Sequence, residues 1–292
     1  MYMKFDKNTK ILIVGLGLIG GSYAKALSDE GYFVGAIDKK KSSVEYALKN
    51  GLIRVGETSV KKDFVKDFDL IVFALYPHDF INWIKEYQSS IKSGALITDV
   101  TGVKSFVVEN VQKILRGDLE FVGAHPMAGK EVSGVENADP KIFVGANYIV
   151  TPTKRNTDEN VQAVKDLGRA LGFERISSLS PEEHDETVGF LSHLTHCIAV
   201  SLMVSKKSHH LAEYTGDSFR DLTRIAKIND EMWSELFLTN KDELLKQMDL
   251  FEEKFNQLKE DIKNDNREKI RETLRESTAR RKVFDKDAKE TK

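Results

Sequence analysis

Short apolar runs alternate with helix-length amphipathic segments over the first 180 residues or so of the chain. Each run is mostly apolar on both faces, which is typical of strands buried in a parallel sheet. The runs are residues 10–14, 33–37, 70–75, 95–100 and 121–124. The segments between them have the length of crossover helices, so the pattern predicts an open, doubly wound α/β sheet of the Rossmann type.

Local signals mark where some of these elements begin and end. Ser42 and Glu45 have the spacing of a capping box, and Gly51 is placed to end the same helix. Two further strands, 147–150 and 173–178, are predicted to flank another helix.

From Ser180 onward the pattern becomes helical almost to the end of the sequence. Ser180, Pro181 and Glu183 supply an N-cap, a proline at the first helical position and a reciprocal capping glutamate. We therefore predict a Rossmann-type domain over residues 1–179 and an all-α domain over residues 180–292.

The helical part contains two kinds of surface. Apolar residues recur at helical spacing from Met232 to about Ile262, which predicts a core or dimer face. Residues 264–292 are dense in alternating charge, which predicts a solvated helix that frays into disorder.

Composition narrows the class of protein. A chain of 292 residues with 40% apolar content has the length of two domains. Its 44 basic and 46 acidic residues give a net charge of -2, so we expect no nucleic-acid partner. Cys197 is the single cysteine and no secretory signal pattern is present, which favours a cytoplasmic location. No uninterrupted apolar run approaches the ~20 residues of a membrane-spanning helix, so we expect no membrane insertion.

The first chemical motif is Gly15, Gly17 and Gly20, placed between a predicted strand and a predicted helix. This G-x-G-x-x-G spacing suits a tight turn, close approach of a pyrophosphate and close packing of the helix on the strand. Asp38 ends the second strand, where a carboxylate accepts hydrogen bonds from both ribose hydroxyls and favours NAD. Lysines at 39–41 leave room for the 2′-phosphate of NADP.

A second motif, residues 123–129, begins at the C-terminal end of a predicted strand, and this edge of an open sheet is where ligands bind. Removing a hydride from a carbon that bears a hydroxyl requires a group that accepts the hydroxyl proton. Histidine is suited to this near neutral pH, so His125 is the candidate catalytic residue.

Histidines also cluster at the start of the helical part. His193 and His196 share one helix face, and His184 begins the same helix. No acidic residue is positioned to complete an obvious metal site, so we expect no metal. A structural role for one of the pair is the alternative.

A basic segment follows at residues 219–227. Arg220, Arg224 and Lys227 have the charge to clamp carboxylates, and arginine offers a bidentate fork for that purpose. A charge run of this kind also occurs on ordinary solvated faces, and for Arg220 and Lys227 both interpretations stay open.

Taken together and in order, these segments resemble the prephenate and arogenate dehydrogenases of tyrosine biosynthesis. The similarity spans about residues 10–284. It rests on residues 15–22, 74–77, 99–104, 123–135, 180–196, 219–227 and 232–241.

The resemblance implies oxidative decarboxylation of prephenate with NAD. It implies that His125 contacts the ring hydroxyl of the substrate and that Arg224 binds a substrate carboxylate. It also implies that Ser192, His193 and His196 line the same pocket, and that the helical domain forms a homodimer. The cofactor-binding residues expected on this basis are Gly15, Gly17, Leu18, Ile19, Gly20, Asp38, Leu75 and Pro77.

The sequence departs from the family pattern at two positions. Gly102 stands where many members carry a serine that helps bind the substrate hydroxyl, and we expect Thr101 to supply the missing hydroxyl in catalysis. Thr195 replaces a common proline between the two histidines. Too little chain follows the helices for a regulatory domain, so feedback by tyrosine is expected at the active site. Arogenate dehydrogenase, a β-hydroxyacid dehydrogenase and a non-catalytic dinucleotide-sensing protein are the alternatives.

Overall fold

Packing divides the chain of this computed structural model into two units, Met1–Lys241 and Asp242–Lys292. The structure describes residues 3–207 and 210–284. The boundary predicted after residue 179 lies inside the first unit, and it stays a prediction.

Parallel strands form the main sheet of the first unit. In the described residues they number six and are ordered β3-β2-β1-β4-β5-β6, the doubly wound order that the sequence predicts. The strands are β1 (Lys10–Val14), β2 (Phe33–Ile37), β3 (Val55–Glu57), β4 (Leu70–Phe73), β5 (Leu96–Asp99) and β6 (Glu120–Phe121). The sequence analysis missed β3 because this edge strand is three residues long and only half-buried.

A second, smaller sheet contains β7 (Gly123–Pro126), β8 (Asn147–Thr151) and β9 (Arg175–Ser178). The single strand predicted over residues 121–124 was therefore wrong. Val122 donates its backbone N–H to Ile97 at the end of the main sheet, and the next residue already pairs antiparallel with β8. His125 consequently lies within a strand, not in a loop after one.

Helices cover the main sheet and make up most of the remaining chain. Those of the first unit are α1 (Leu18–Asp29), α2 (Lys41–Lys49), α3 (Lys62–Val65), α4 (Pro77–Tyr87), α5 (Ser105–Ile114), α6 (Asp158–Ala170), α7 (Pro181–Val188), α8 (Thr195–Val204), α9 (Asp217–Thr223) and α10 (Asp230–Thr239). The second unit consists mainly of α11 (Lys241–Lys263) and α12 (Arg267–Arg281). A π-helical segment, Gly189–Leu194, joins α7 to α8.

The two predicted capping boxes have different outcomes. The box at Ser180 is confirmed, because its hydroxyl accepts from the Glu183 N–H at 3.1 Å and the Glu183 carboxylate accepts from the Ser180 N–H at 2.8 Å. The box at Ser42 was wrong. Asp38 accepts a hydrogen bond from the Lys40 N–H, and α2 begins at Lys41 without a side-chain cap.

The predicted solvated helix near the end of the chain is α12, which buries no side chain. The fraying end predicted beyond it, from residue 285, lies outside the described residues.

Length does not exclude a membrane span, contrary to the expectation from the sequence. In the described part of the chain, the continuous helical segment Pro181–Val204 has 24 residues and a window with mean hydropathy 1.5. The core helix of a soluble protein passes the same test. Only 28% of that window is buried, and His184, Asp185 and His193 are buried along the segment among polar partners.

The core lies on both faces of the main sheet. Ile11 and Ile13 of β1 pack on one side with α1, while Leu12 and Val14 pack on the other. All four are at most 2% exposed, as a parallel strand between two helical layers requires. This packing fixes the carboxyl edge of the sheet, where the polar residues described next are found.

Candidate active site

The glycine loop between β1 and α1 has the backbone that a pyrophosphate site needs. Gly15 has a φ of +99°, and a Cβ atom there would lie 2.4 Å from the Ala74 carbonyl oxygen. A Cβ on Gly20 would lie 1.9 Å from the Gly15 oxygen, so α1 packs tightly on this turn. Gly17 faces open space, and no side chain caps the helix that it precedes. The loop therefore leaves both room and helix N–H donors for a dinucleotide.

Asp38 lies beside this loop at the end of β2. Its carboxylate accepts from the Leu16 N–H at 2.6 Å and from the Lys40 N–H at 2.7 Å. These bonds hold the carboxylate next to the glycine turn, as recognition of a ribose requires.

The other predicted cofactor residues lie on the same edge. Leu18 and Ile19 begin α1, and Pro77 begins α4. The Leu75 side chain approaches Gly15 from the end of β4.

His125 is joined to a buried histidine and a buried carboxylate. Its Nδ1 lies 2.8 Å from Nε2 of His184, whose Nδ1 lies 2.7 Å from Oδ1 of Asp185. Asp185 also accepts backbone N–H bonds from Lys104 at 2.7 Å and Ser105 at 2.8 Å, at the start of α5. Among the described residues, no hydrogen bond occupies Nε2 of His125, and the residue is partly exposed.

This environment keeps the histidines neutral near pH 7. Burial lowers the pKa of His125 well below its ordinary value, and the neighbouring His184 and Lys104 lower it further. Burial likewise lowers the pKa of His184, although Asp185 acts in the opposite direction. Burial raises the pKa of Asp185, but bonds from His184 and the α5 backbone outweigh it and leave this pKa below its usual range. A neutral His125 has the free lone pair that a proton acceptor needs.

A buried ion pair supports the backbone next to His125. Asp99, the last residue of β5, accepts from Lys104 Nζ at 2.6 Å and from the Ala124 N–H at 3.0 Å. Asp99 and Lys104 are both 0% exposed. His125 is thereby attached to the carboxyl edge of the sheet that carries the glycine loop.

Thr101 belongs to this support and not to the open site. Its hydroxyl bonds to Asp99 and to the Val103 carbonyl, and it accepts from Lys104 Nζ at 3.0 Å. Because Thr101 is buried and its hydroxyl is already hydrogen-bonded, it is not placed to do the work of the serine that many family members have at position 102. Gly102 itself faces His125 Cε1, 3.8 Å from the position of an added Cβ.

His193 and His196 face different surroundings. His193 is 1% exposed, accepts from the Asn240 amide at 3.3 Å and packs against Trp233 and Phe237. Burial lowers its pKa to about 4, which keeps this ring neutral near pH 7. His196 stacks on Trp233 with 3.7 Å between ring centroids.

His196 also bonds through Nδ1 to the Ser192 carbonyl at 2.8 Å. Burial lowers its pKa, the Ser192 carbonyl raises it, and Glu131 and Arg224 act on it with opposite signs. His196, Ser192 and Arg224 therefore share one region of the structure.

Arg224 forms an ion pair with Glu131, in the segment that follows β7. The pair links Arg224 to the segment that follows the strand of His125, and Glu131 occupies the guanidinium that the resemblance assigns to a substrate carboxylate. Arg220 forms a loose pair with Asp217 at 3.7 Å, and both it and Lys227 are exposed. For these two the solvated-face interpretation fits.

The hydrogen-bond partners of His125 and the ion-pair partner of Arg224 were not predicted from the sequence. His184 was considered only as a possible metal ligand, although the described residues contain no cluster of three His, Cys, Asp or Glu suited to a metal. Asp185 and Glu131 were not singled out. The adjacent His184–Asp185 pair was a visible signal, but its link to His125, 59 residues away, was not.

Comparison with known proteins identifies the family. The profile "Prephenate dehydrogenase, nucleotide-binding domain" matches residues 23–175, and "Prephenate dehydrogenase, dimerization domain" matches residues 180–276. A prephenate dehydrogenase of Bacillus subtilis (strain 168) is 34% identical over 249 residues, which is 82% of this chain and 66% of that relative. The chain thus spans about two thirds of that relative's length.

Solved structures agree with this match. The A. aeolicus prephenate dehydrogenase in complex with hydroxyphenyl propionate and NAD+ is 34% identical, with a TM-score of 0.88, and the match covers 97% of this chain and 100% of that one. A Synechocystis arogenate dehydrogenase is 25% identical, with a TM-score of 0.81 and coverage of 94% and 100%. With two family profiles that together cover most of the sequence, this chain belongs to the prephenate dehydrogenase family.

Proposed function

We propose that this protein catalyses the NAD-dependent oxidative decarboxylation of prephenate to 4-hydroxyphenylpyruvate. The observation that carries the proposal is the position of His125. Its backbone is bonded through Ala124 to Asp99 at the carboxyl end of β5, the same sheet edge at which the glycine loop leaves β1. A proton acceptor and a dinucleotide loop thus share one edge, as hydride transfer from a hydroxyl-bearing carbon requires.

The glycine loop and Asp38 would hold the cofactor, with Leu18, Ile19, Leu75 and Pro77 beside them. When bound, NAD supplies the acceptor for the hydride from C4 of prephenate. The carboxylate of Asp38, fixed by two backbone N–H groups, favours the free ribose hydroxyls of NAD over the 2′-phosphate of NADP.

The remaining chemistry falls to the protein's own side chains. His125 Nε2 accepts the proton of the C4 hydroxyl, which raises electron density at C4 as the hydride departs. Arg224 and His196, with Ser192, would hold the substrate carboxylates, and Arg224 would exchange Glu131 for substrate. Loss of carbon dioxide makes the ring aromatic and supplies the driving force. Thr101 and His193 act by positioning and packing.

We assign residues 1–179 to cofactor binding and residues 180–292 to substrate binding and dimerisation. A homodimer through the helical part agrees with the family profile that covers residues 180–276. We place the reaction in the cytoplasm. We also propose that any inhibition by tyrosine, which resembles the product, takes place at the active site.

Absorbance of the reduced cofactor tests the assignment directly. The protein is incubated with prephenate and either NAD or NADP, and then with arogenate in place of prephenate. We expect rapid reduction of NAD with prephenate. Preference for arogenate would move the protein to the alternative activity, and no reduction with either substrate would leave a dinucleotide-sensing protein.

The variant His125→Asn tests the residue that carries the chemistry. We expect turnover to fall on the order of 10²- to 10⁴-fold while NAD affinity stays nearly intact. His210→Asn, on an exposed histidine paired with Glu213, is the matched control and should leave turnover unchanged. Normal turnover in His125→Asn would remove this residue from the mechanism.

A further inference from the structure

We infer that His184 and Asp185 are positioning residues that set which nitrogen of His125 carries the proton. The inference rests on the proposed role of His125 as the proton acceptor. The three residues His125, His184 and Asp185 form a hydrogen-bonded relay. His184 and Asp185 act on the reaction through the imidazole ring of His125.

Hydrogen-bond counting along the relay determines the tautomers. The Asp185 carboxylate accepts two backbone N–H bonds, from Lys104 and Ser105, and these bonds with that from His184 hold its pKa below the usual range. It is therefore ionised near pH 7 and has no proton to donate. The 2.7 Å contact with His184 therefore requires that His184 Nδ1 is the donor. A neutral His184 then has an unprotonated Nε2, which accepts from Nδ1 of His125 at 2.8 Å. This leaves Nε2 of His125 unprotonated.

Burial makes this tautomer the stable one. His184 is 0% exposed and Asp185 is 3% exposed, so water does not offer alternative partners to either group. Reversing the relay would point an N–H of His184 away from Asp185 and leave a buried carboxylate with one donor fewer, which is costly in such a site. The histidine of Ser-His-Asp hydrolases is oriented by the same logic.

The relay also accounts for the proton during turnover. The O–H bond of the substrate breaks and its proton binds Nε2 of His125. The positive charge on the ring is then shared through the Nδ1–H bond with His184, next to the anionic Asp185. After carbon dioxide has left, the proton returns from Nε2 to the phenolate oxygen of the product. No reactant besides prephenate and NAD is consumed.

Other charged groups act on the same rings. Lys104 and His193 disfavour a charged His125, while Asp99 and Asp185 favour a charged His184. Asp185 is the anion in direct contact with His184, so its removal should weaken His125 as a base most.

The variant Asp185→Asn tests the relay because it removes the anion that faces His184. Oδ1 of Asp185 faces both His184 Nδ1 and the Lys104 N–H, and Oδ2 accepts from the Ser105 N–H, so an amide loses one backbone bond in either orientation. The neutral amide also no longer stabilises positive charge on the histidines, which weakens the preference of His125 for protonation at Nδ1. We expect kcat with prephenate to fall on the order of 10²- to 10⁴-fold, with KM changed by no more than about threefold. The acid limb of the kcat profile should move to lower pH, because His125 loses a stabilising anion.

A second variant and a matched control separate this effect from simple loss of structure. His184→Gln keeps an acceptor for His125 Nδ1 but is not ionisable, so it should retain more activity than His184→Ala. Glu186→Gln, an exposed carboxylate on the same helix, should leave kcat and the profile unchanged. A merely structural role would lower activity without moving the acid limb and without rescue by glutamine.

Nitrogen NMR of histidine-labelled protein reads the tautomer without any substrate. We expect the wild-type protein to show His125 protonated at Nδ1, and Asp185→Asn to show a larger share of the ring protonated at Nε2. Failure of the wild-type protein to oxidise prephenate would refute the proposed function, and the NMR result would still decide the relay. The relay itself is overturned if His125 is protonated at Nε2 in the wild type, or if both relay variants keep normal kcat in a protein that His125→Asn inactivates.

Discussion

Acid should destabilise this protein through the buried His193, and the size of the effect follows from its pKa. Burial lowers this pKa from 6.5 to about 4, and the hydrogen bond that the Asn240 side-chain amide donates to Nδ1 favours the neutral ring. In the unfolded chain the same histidine titrates near 6.5. Below that pH the unfolded state binds more protons than the folded state, so stability falls as pH falls from about 6.5 to about 4.

The loss can be worked out for one pH. At pH 5 the unfolded histidine is almost fully protonated and the folded one is almost fully neutral. The difference costs about 2 kcal/mol of unfolding free energy relative to pH 7. His125 and His184 have pKa values lowered by burial too, so the whole protein should lose more than this.

Urea unfolding at pH 7 and pH 5, at one fixed protein concentration, measures the effect. His193→Asn should be less stable than wild type at pH 7 but should lose about 2 kcal/mol less between the two pH values. His210→Asn, on an exposed ring, should keep the wild-type dependence. Equal losses in His193→Asn and wild type would refute the reasoning, because His193 would then titrate alike in both states.

Four substitutions test other parts of the site. Gly20→Ala should lower both thermal stability and NAD affinity, because the added Cβ would meet the Gly15 backbone. Gly17→Ala should weaken NAD binding with little change in melting temperature, because this position faces open space. Calorimetry measures the melting temperatures, and titration with NAD measures the affinities. Arg224→Ala should raise the KM for prephenate with a smaller change in kcat, and an unchanged KM in steady-state assays would contradict its role. Lys104→Met should cost roughly 3 to 5 kcal/mol in urea unfolding, because it leaves Asp99 buried without its cation, and wild-type stability would show that the pair contributes nothing.

Local sequence was enough to predict the first two strands and part of the glycine loop. β1 and β2 are apolar on both faces and end at glycines or at Asp38, so their bounds could be predicted to the residue. The contact between Gly20 and the Gly15 carbonyl is equally local, whereas Gly15 is also required by the Ala74 carbonyl that follows β4, a contact between distant parts of the sequence. The capping box at Ser180 likewise needs only four adjacent residues.

Tertiary contacts decided what the sequence could not. The run 121–124 looks like one apolar strand, but its first half pairs with the main sheet and its second half with β8. Thr101 was predicted to face substrate from its place in the sequence, yet Asp99 and Lys104 occupy its hydroxyl. The ion pair between Arg224 and Glu131 could not be predicted from local sequence, because the two residues lie 93 positions apart.

The segment from the end of β5 to the start of α5 explains how His125 is fixed so firmly. Asp99 holds the backbone N–H of Ala124, and the N–H groups of Lys104 and Ser105 hold Asp185. The first contact fixes the strand that carries His125, and the second fixes the ring through His184. Because Lys104 Nζ also neutralises Asp99, Lys104 contributes to both contacts. Substitutions at Asp99 or Lys104 should therefore alter catalysis without touching substrate, and they should do so through kcat.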